Sequence, residues 1–298
     1  MTAVHTFIQA LVLGVLTGGV YALMSTGQTL VFGVMRVVNV AQGVLVILAA
    51  YLSYTVHNKL GIDPFATIVI VMPAMFAVGV GVQLLFIRPV RRNRTDVSFE
   101  QTLLIMFALA VGIEGILDLV YTSEYRSITT SYANSSWTVL GYTVSVVRVL
   151  AFALAVALLA ALWVLLNKTS FGRGVRATVQ NPTSARLLGV DTERIGALGM
   201  GLGISLAGAA GAVFGLIYPF NANSSYDLVS RLLSIIVLGG LGSVVGAVVG
   251  SLALGVAEAV VAAVISPVWA PFTFLVVLMA VLLVRPQGLF GVAERGAL

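Results

Sequence analysis

Three carboxylates fall inside or at the edge of apolar runs: Glu114, Asp118 and Glu258. A carboxylate at membrane depth must face a protein interior or an aqueous route, or stay neutral. Glu114 and Asp118 stand one helical turn apart, a spacing that can relay a proton; the plainer reading puts them near the outer end of a helix, in water. Glu258 lies eleven residues beyond Ala247 and seven beyond Ser251, so the three share one helix face. A second polar intrusion is FGVMRVVNVAQG, residues 32–43, where Gly33, Arg36, Asn39, Gln42 and Gly43 break an apolar stretch. An arginine and two amides there predict a broken or re-entrant element whose polar groups line a path or brace it; a cytoplasmic turn is the alternative. None of this makes a reaction centre. Cysteine is absent, which excludes disulfides and thiolate metal sites, and the two histidines, His5 and His57, are too few for a His-based metal site. What the chemistry allows is recognition and passage of a solute.

Composition says what must hold these residues. The chain has 298 residues, 59% hydrophobic and 9% charged, where a soluble domain carries about 25% charged residues. It is therefore a polytopic all-α membrane protein. The net charge of +5 sits in short loops between apolar spans, a signature of membrane orientation and not of a nucleic-acid surface. The opening MTAVHT has neither the positive region nor the cleavage site of a signal peptide, so the first apolar run is expected to be a retained span.

Apolar runs at 7–30, 44–56, 65–87, 99–121, 148–166, 195–218, 232–265 and 272–284 supply the spans. Gly14 and Gly18 form a GxxxG pair in the first, and Pro73 interrupts the third. In residues 195–218, Gly199, Gly203, Ala207, Gly211 and Gly215 recur at every fourth position and make one smooth face for a neighbouring helix. The run 232–265 is too long for one span. Gly239, Gly240, Gly242 and Ser243 predict an unwound point in it, and Gly242, Gly246 and Gly250 a close-packing row. Residues 122–147 read as an external loop with some strand near 137–146 and a sequon at Asn134, and residues 219–231 as an external polar loop with Asp227 set against Arg231.

Two basic stretches fix the orientation. Residues 88–96 carry four arginines and one aspartate, +3. Residues 168–194, KTSFGRGVRATVQNPTSARLLGVDTER, carry Lys168, Arg173, Arg176, Arg186 and Arg194 against Asp191 and Glu193, again +3. Both belong in the cytoplasm. In the second, Gly172 and Gly174 punctuate the start, Asn181 can cap a short helix opened by Pro182, and Gly189 can close it with a left-handed residue. The pattern suggests a compact helical elbow suited to docking a partner; an ordinary basic cytoplasmic loop is the alternative. One single transmembrane domain is expected over residues 1–298, with about eight transmembrane helices and two Gly-interrupted segments, 32–43 and 239–250, one early and one late. Paired broken helices point to a path near the midplane. Eight crossings from an external N-terminus would leave the C-terminus outside, whereas Arg285 and Arg295 favour inside; a third crossing within 232–284 would reconcile them.

The segment GGVYALMSTGQTLVFGVMRVVNVAQG, residues 18–43, resembles the N-terminal signature of the permease subunits of branched-chain amino acid ABC importers, which reads roughly GxxYALxAxGLxLxFGxxxxxNxAxG. The elbow TSFGRGVRATVQNPTSARLLGVDTERI is similar to that family's cytoplasmic loop, and VLGGLGSVVGAVVGSLALGVAE and LLVRPQGLFG to its C-terminal half. The resemblance runs over nearly the whole chain and is nearest the smaller of the two permease types.

It implies an inner-membrane, multi-pass importer subunit paired with a second, homologous permease, as a heterodimer or a homodimer. Two cytoplasmic ATPase subunits would dock on the elbow through Gly172, Arg173, Arg176, Asn181, Pro182, Arg186 and Gly189, and an extracytoplasmic solute-binding protein would deliver the solute. The chain has no GxxxxGK[ST] motif, and neither Lys59 nor Lys168 follows such a loop, so ATP and magnesium belong to the partner ATPase and no cofactor belongs here. The expected mechanism is alternating access. Gln28, Asn39, Gln42, Gly43, Gly239, Gly240, Gly242, Ser243 and Glu258 are the candidates for the solute path. Gln28 stands where the family usually has Leu, Ala49 where Gly is usual, and Gln42 where His is frequent. These departures leave open whether the solute is a branched-chain amino acid, urea or a short amide. Two rivals remain: an ion-coupled secondary transporter using Glu114, Asp118 or Glu258, and an intramembrane enzyme, for which only isolated carboxylates are present.

Overall fold

The computed structural model describes residues 3–93, 99–130, 132, 135–139, 142–285 and 287–290. The basic stretch beyond Asn93, the sequon Asn134 and Arg295 lie outside the described residues. The elements run α1 (Ala3–Met35), α2 (Gln42–Leu60), α3 (Pro64–Val82), a π-helical turn (Gln83–Ile87), α4 (Arg88–Asn93), α5 (Phe99–Tyr121), β1 (Ser136–Val139), β2 (Tyr142–Ser145), α6 (Val146–Lys168), α7 (Ser170–Gln180), α8 (Pro182–Leu187), α9 (Thr192–Ile217), α10 (Ser224–Gly239), α11 (Val244–Val264), a 3-10 turn (Pro267–Phe272) and α12 (Thr273–Val284). Among the described residues seven helical stretches are long and apolar enough to cross a membrane: His5–Met35, Pro64–Val90, Glu100–Tyr121, Val146–Lys168, Thr192–Ile217, Val244–Val264 and Pro267–Val284. The chain is thus an all-α polytopic membrane protein with one short antiparallel hairpin, Trp137 opposite Val144.

Helix α9 is the axle. Asp191 caps it, its carboxylate accepting from the Arg194 N–H at 3.0 Å, and Glu193 suits the positive end of the dipole. Its four-spaced small residues admit two different neighbours. A Cβ on Gly203 would lie 2.5 Å from the Gly27 carbonyl oxygen of α1, and one on Gly211 would lie 2.8 Å from Ala49 Cβ of α2. The opposite face takes α3: a Cβ on Gly201 would lie 2.8 Å from the Phe76 ring. Lipid tails are as apolar as leucine, so such backbone-to-backbone approach supplies the packing that holds the helices together.

A second small-residue seam joins α1 to α11. A Cβ on Gly14 would lie 2.6 Å from Val256 Cα and one on Gly18 2.9 Å from Leu252 Cα; further along, the Ser25 and Ser251 hydroxyls meet at 2.8 Å. Low numbers in α1 meet high numbers in α11, so the two run antiparallel.

Three features differ from expectation. Residues 224–231 are helical, not loop: α10 begins at Ser224, because Arg231 turns inward to Glu258 and its partner is not Asp227. Gly172 and Gly174 do not punctuate a turn; both lie inside α7, where Gly172 packs on the Leu166 main chain and a Cβ on Gly174 would meet Ile195 at 2.7 Å. Finally, Leu289 N–H donates to the Leu238 carbonyl at 2.8 Å and Phe290 N–H to that of Gly239 at 3.1 Å. The chain after α12 therefore returns to the C-terminal end of α10, where Gly33 of α1 faces Gly242. Helices α10, α11 and α12 run in alternate directions.

Candidate functional site

The sequence candidates fall in three places. At the first, α1 stops at Met35 and the chain doubles back before α2 starts at Gln42. Arg36 takes φ +53°, a left-handed conformation that costs an ordinary residue on the order of 1 kcal/mol or more. The return carries Asn39 and Gln42 inside the protein beside Gln28, with all three at most 2% exposed. Gln28 Nε2 donates to the Asn39 carbonyl (3.2 Å), Asn39 Nδ2 to Gln42 Oε1 (2.9 Å), and Gln42 Nε2 to the Met24 carbonyl (3.3 Å). Gln28 Oε1 and Asn39 Oδ1 keep no protein donor. Gly43 opens α2 where a Cβ would press on the Ser225 carbonyl at 2.6 Å. In this state the amides tie the break together.

At the second place, Gly239, Gly240, Gly242 and Ser243 form the turn between α10 and α11. Gly240 and Gly242 have φ of +95° and +83°, which only glycine takes without strain, and Ser243 Oγ accepts from the Gly246 N–H at 3.0 Å to start α11. Glu258 lies well away from this turn, further along α11. Its carboxylate takes a hydrogen bond from the Tyr21 hydroxyl at 3.0 Å and an ion pair from Arg231, whose guanidinium also donates to the Tyr21 oxygen at 2.6 Å. The Arg231 and Glu258 side chains are 15% and 17% exposed. Glu258 also forms part of the wall of a cavity of about 360 Å³ between α1 and α11, to which Arg148 and Tyr218 contribute.

Among the described residues Glu258 thus stands apart from the amide break and from the glycine turn. The sequence reading missed Tyr21, Arg231 and Arg148. Tyr21 and Glu258 are 237 residues apart, so no spacing rule joins them. The available signal was Arg231 itself: a buried glutamate needs a cation, and few stand near apolar sequence. The other intramembrane carboxylate, Glu114, is 8% exposed, and Asp118 accepts from the Ser123 hydroxyl at 3.2 Å near the end of α5. Outside the spans, burial and a bond to Asp63 push the Tyr132 phenol well above its ordinary range.

The third place is the elbow. Asn181 Oδ1 accepts from the Ser184 N–H at 3.0 Å, Pro182 opens α8, and Gly189 closes it at φ +83°. Arg176 donates to the Leu166 carbonyl at 2.5 Å, and Arg186 Nε to the Thr192 hydroxyl at 2.7 Å. Arg88, just beyond the π-helical turn, pairs with Glu193 of α9 at 2.8 Å. Arg173 lies on the exposed side of α7. On the outside of the elbow Leu187 and Leu188 are 85% and 84% exposed, an apolar pair left uncovered by the described residues.

A multi-helix body closed by glycine seams, with its polar groups tied in pairs and an apolar-tipped elbow at one end, is that of a membrane transport subunit. Residues 10–284 match the family described as branched-chain amino acid transport system, permease component. The chain is 26% identical to the high-affinity branched-chain amino acid transport system permease protein BraD of Pseudomonas aeruginosa, over 99% of each chain. It is 28% identical to the permease protein LivH of Escherichia coli K12, over 97% of this chain and 96% of that one. A structure of PsaBC from Streptococcus pneumoniae in complex with Fab aligns over 96% of this chain and 92% of that one at 12% identity, with a TM-score of 0.45, too low to bear on the fold.

The chain belongs to the family of permease components of branched-chain amino acid transport systems. It is a permease subunit of an ABC importer in the inner membrane, and not an enzyme.

Proposed function

We propose that this subunit carries a branched-chain amino acid or a related small polar solute inward by alternating access, driven by two separate ATPase subunits that dock on residues 168–194. The observation that carries this reading is the construction of the elbow. Its two short helices are capped at Asn181 and closed at Gly189, its outer tip presents Leu187 and Leu188 to a partner, and its base is tied to α9 through Arg186–Thr192. Force applied at the leucines reaches α9, and α9 is in backbone contact with α1, α2 and α3. The amide break at 36–41 is the place where α1 and α2 can reorient, since its two partnerless acceptors favour any rearrangement that satisfies them.

In this reading α2 and α10 are two passes beyond the seven long apolar stretches, giving nine; against the eight expected, the added one is α10, split from the run 232–265. The N-terminal end is then outside, and the elbow and the C-terminal end are inside, as their basic residues require. A second permease completes the path, and an extracytoplasmic binding protein delivers the solute. An ion-coupled transporter needs a carboxylate open to an aqueous route; Glu258 is engaged by Arg231 and Tyr21. The test is co-purification of the ATPase subunits. Burying a leucine contributes about 1.5–3 kcal/mol, so Leu187→Asp with Leu188→Asp weakens docking by roughly a hundredfold or more. The thermal stability of the permease itself stays unchanged. Undiminished ATPase capture by the double variant rules the elbow out as the docking surface.

A further inference from the structure

The cavity between α1 and α11 has a charge pattern that the importer reading does not use. Ala10 and Leu13 of α1 and Ala259 and Ala262 of α11 form an apolar part of its wall, and Gln9 and Thr17 of α1 add neutral polar groups. Glu258, already matched by Arg231, is one lining residue. Arg148, at the start of α6, is another; its guanidinium lies 5.9 Å from the Tyr218 ring centroid, and it has no carboxylate within ion-pairing distance among the described residues. The cavity thus holds one matched pair and one unmatched cation. An arginine fork unpaired beside an apolar cavity presents a geometry made for a carboxylate. The Glu258 oxygens take one bond each from Arg231 and Tyr21, and a carboxylate has about four acceptor positions, so both can accept again. At about 360 Å³ the volume is at the small end of ligand sites, suited to a small solute and too small for a peptide.

We propose that this cavity is a binding site for a small zwitterion, with its carboxylate on Arg148, its ammonium on Glu258 and its apolar part against the alanine wall. The assignment rests on the importer reading and narrows it: a neutral solute such as urea or a short amide leaves Arg148 unpaired and is rejected. Arg231 and Tyr21 act as positioning residues that hold the glutamate carboxylate in place. Phosphatidylethanolamine carries the same two charges, so a lipid headgroup is the one other source of this chemistry.

The test uses the complete transporter, purified in maltoside detergent without added lipid and irradiated with a diazirine analogue of L-leucine. The expected adducts fall on residues 6–17 and 255–263. Labelling drops at least tenfold with excess L-leucine and in Arg148→Gln, and is unaffected by L-leucinamide or urea. Arg148→Lys keeps part of it. Ala262→Leu, which fills the cavity, also lowers labelling while the complex keeps its subunit stoichiometry and its thermal midpoint, so a loss is not misfolding. Unchanged labelling in Arg148→Gln, equal competition by leucinamide, or displacement by phosphatidylethanolamine but not by leucine overturns the assignment. ATP-driven leucine uptake into proteoliposomes is measured alongside. Uptake without labelling sinks the site and spares the importer; labelling without uptake does the reverse.

Discussion

Replacing Gly203 with alanine tests whether backbone contact between α1 and α9 holds the protein together. The new methyl would lie 2.5 Å from the Gly27 carbonyl oxygen and 2.6 Å from Val31 Cγ2, whereas ordinary contact begins at 3.4 Å. The helices must part by 3.4 − 2.5 = 0.9 Å. Both near atoms belong to α1, one of them main chain, so a rotamer change does not relieve the clash. Overpacking of this kind costs about 1–3 kcal/mol. The Gln42–Met24 hydrogen bond, already 3.3 Å long, sits beside Gly27 and is lost, adding about 1 kcal/mol. The better helix propensity of alanine returns about 0.5–1 kcal/mol. The net is a loss of about 1–3.5 kcal/mol, or roughly 2–14 °C in Tm for a chain of this size. Gly112→Ala is the control: nothing lies within 4 Å of its Cβ position, so it is neutral or slightly stabilising. Thermal scans of the tryptophan fluorescence of purified protein in detergent read both. A Gly203→Ala variant within a degree of wild type, or a Gly112→Ala variant that falls as far, refutes the reasoning.

Glu258→Gln leaves Arg231 charged and mostly buried, at a cost of about 3–5 kcal/mol, and adding Arg231→Met restores most of it; a double variant no better than the single one shows that the pair is not the cause. Asn181→Ala removes the cap of α8 at about 1 kcal/mol, read as faster amide exchange over Pro182–Leu187, whereas Asn181→Gly costs a few tenths. The Tyr132 phenol is held above its unfolded value of about 10, so its contribution is complete below that pH and falls as pH rises toward the folded value. Tyr132→Phe flattens this alkaline loss; identical denaturation profiles for the two proteins between pH 9 and about 11 would show that the phenol is not the group responsible.

The parts written in local code were legible. Asn181-Pro182 followed by Gly189 specifies cap, first turn and left-handed stop whatever surrounds it, and the helix there begins and ends on those residues. The four-spaced glycines of α9 could be read as a seam, because only close approach uses such a row. What they touch could not be read: Gly203 meets α1 and Gly211 meets α2, a change of partner that depends on where α1 breaks. The start of α10 was hidden for a similar reason. Ser224, Ser225, Asp227, Ser230 and Arg231 look like loop to a hydropathy window, yet Arg231 is accommodated by a glutamate 27 residues on and a tyrosine 210 residues back. Polar residues satisfied by remote partners have no local signature. The amides of 28, 39 and 42 were recognisable as costly; their mutual bonding was not.

The last carbonyls of α10 bear on how the protein is made. Those of Leu238 and Gly239 accept from Leu289 and Phe290, so a ribosome that has just finished α10 must add 290 − 239 = 51 residues before the second of these bonds can form. Until then the glycine turn at the base of α11 has no strap, and two polar oxygens wait at the membrane boundary for donors not yet translated. The strap over this turn therefore closes only after Phe290 has been added, and a chain cut short before Leu289 lacks both of its bonds.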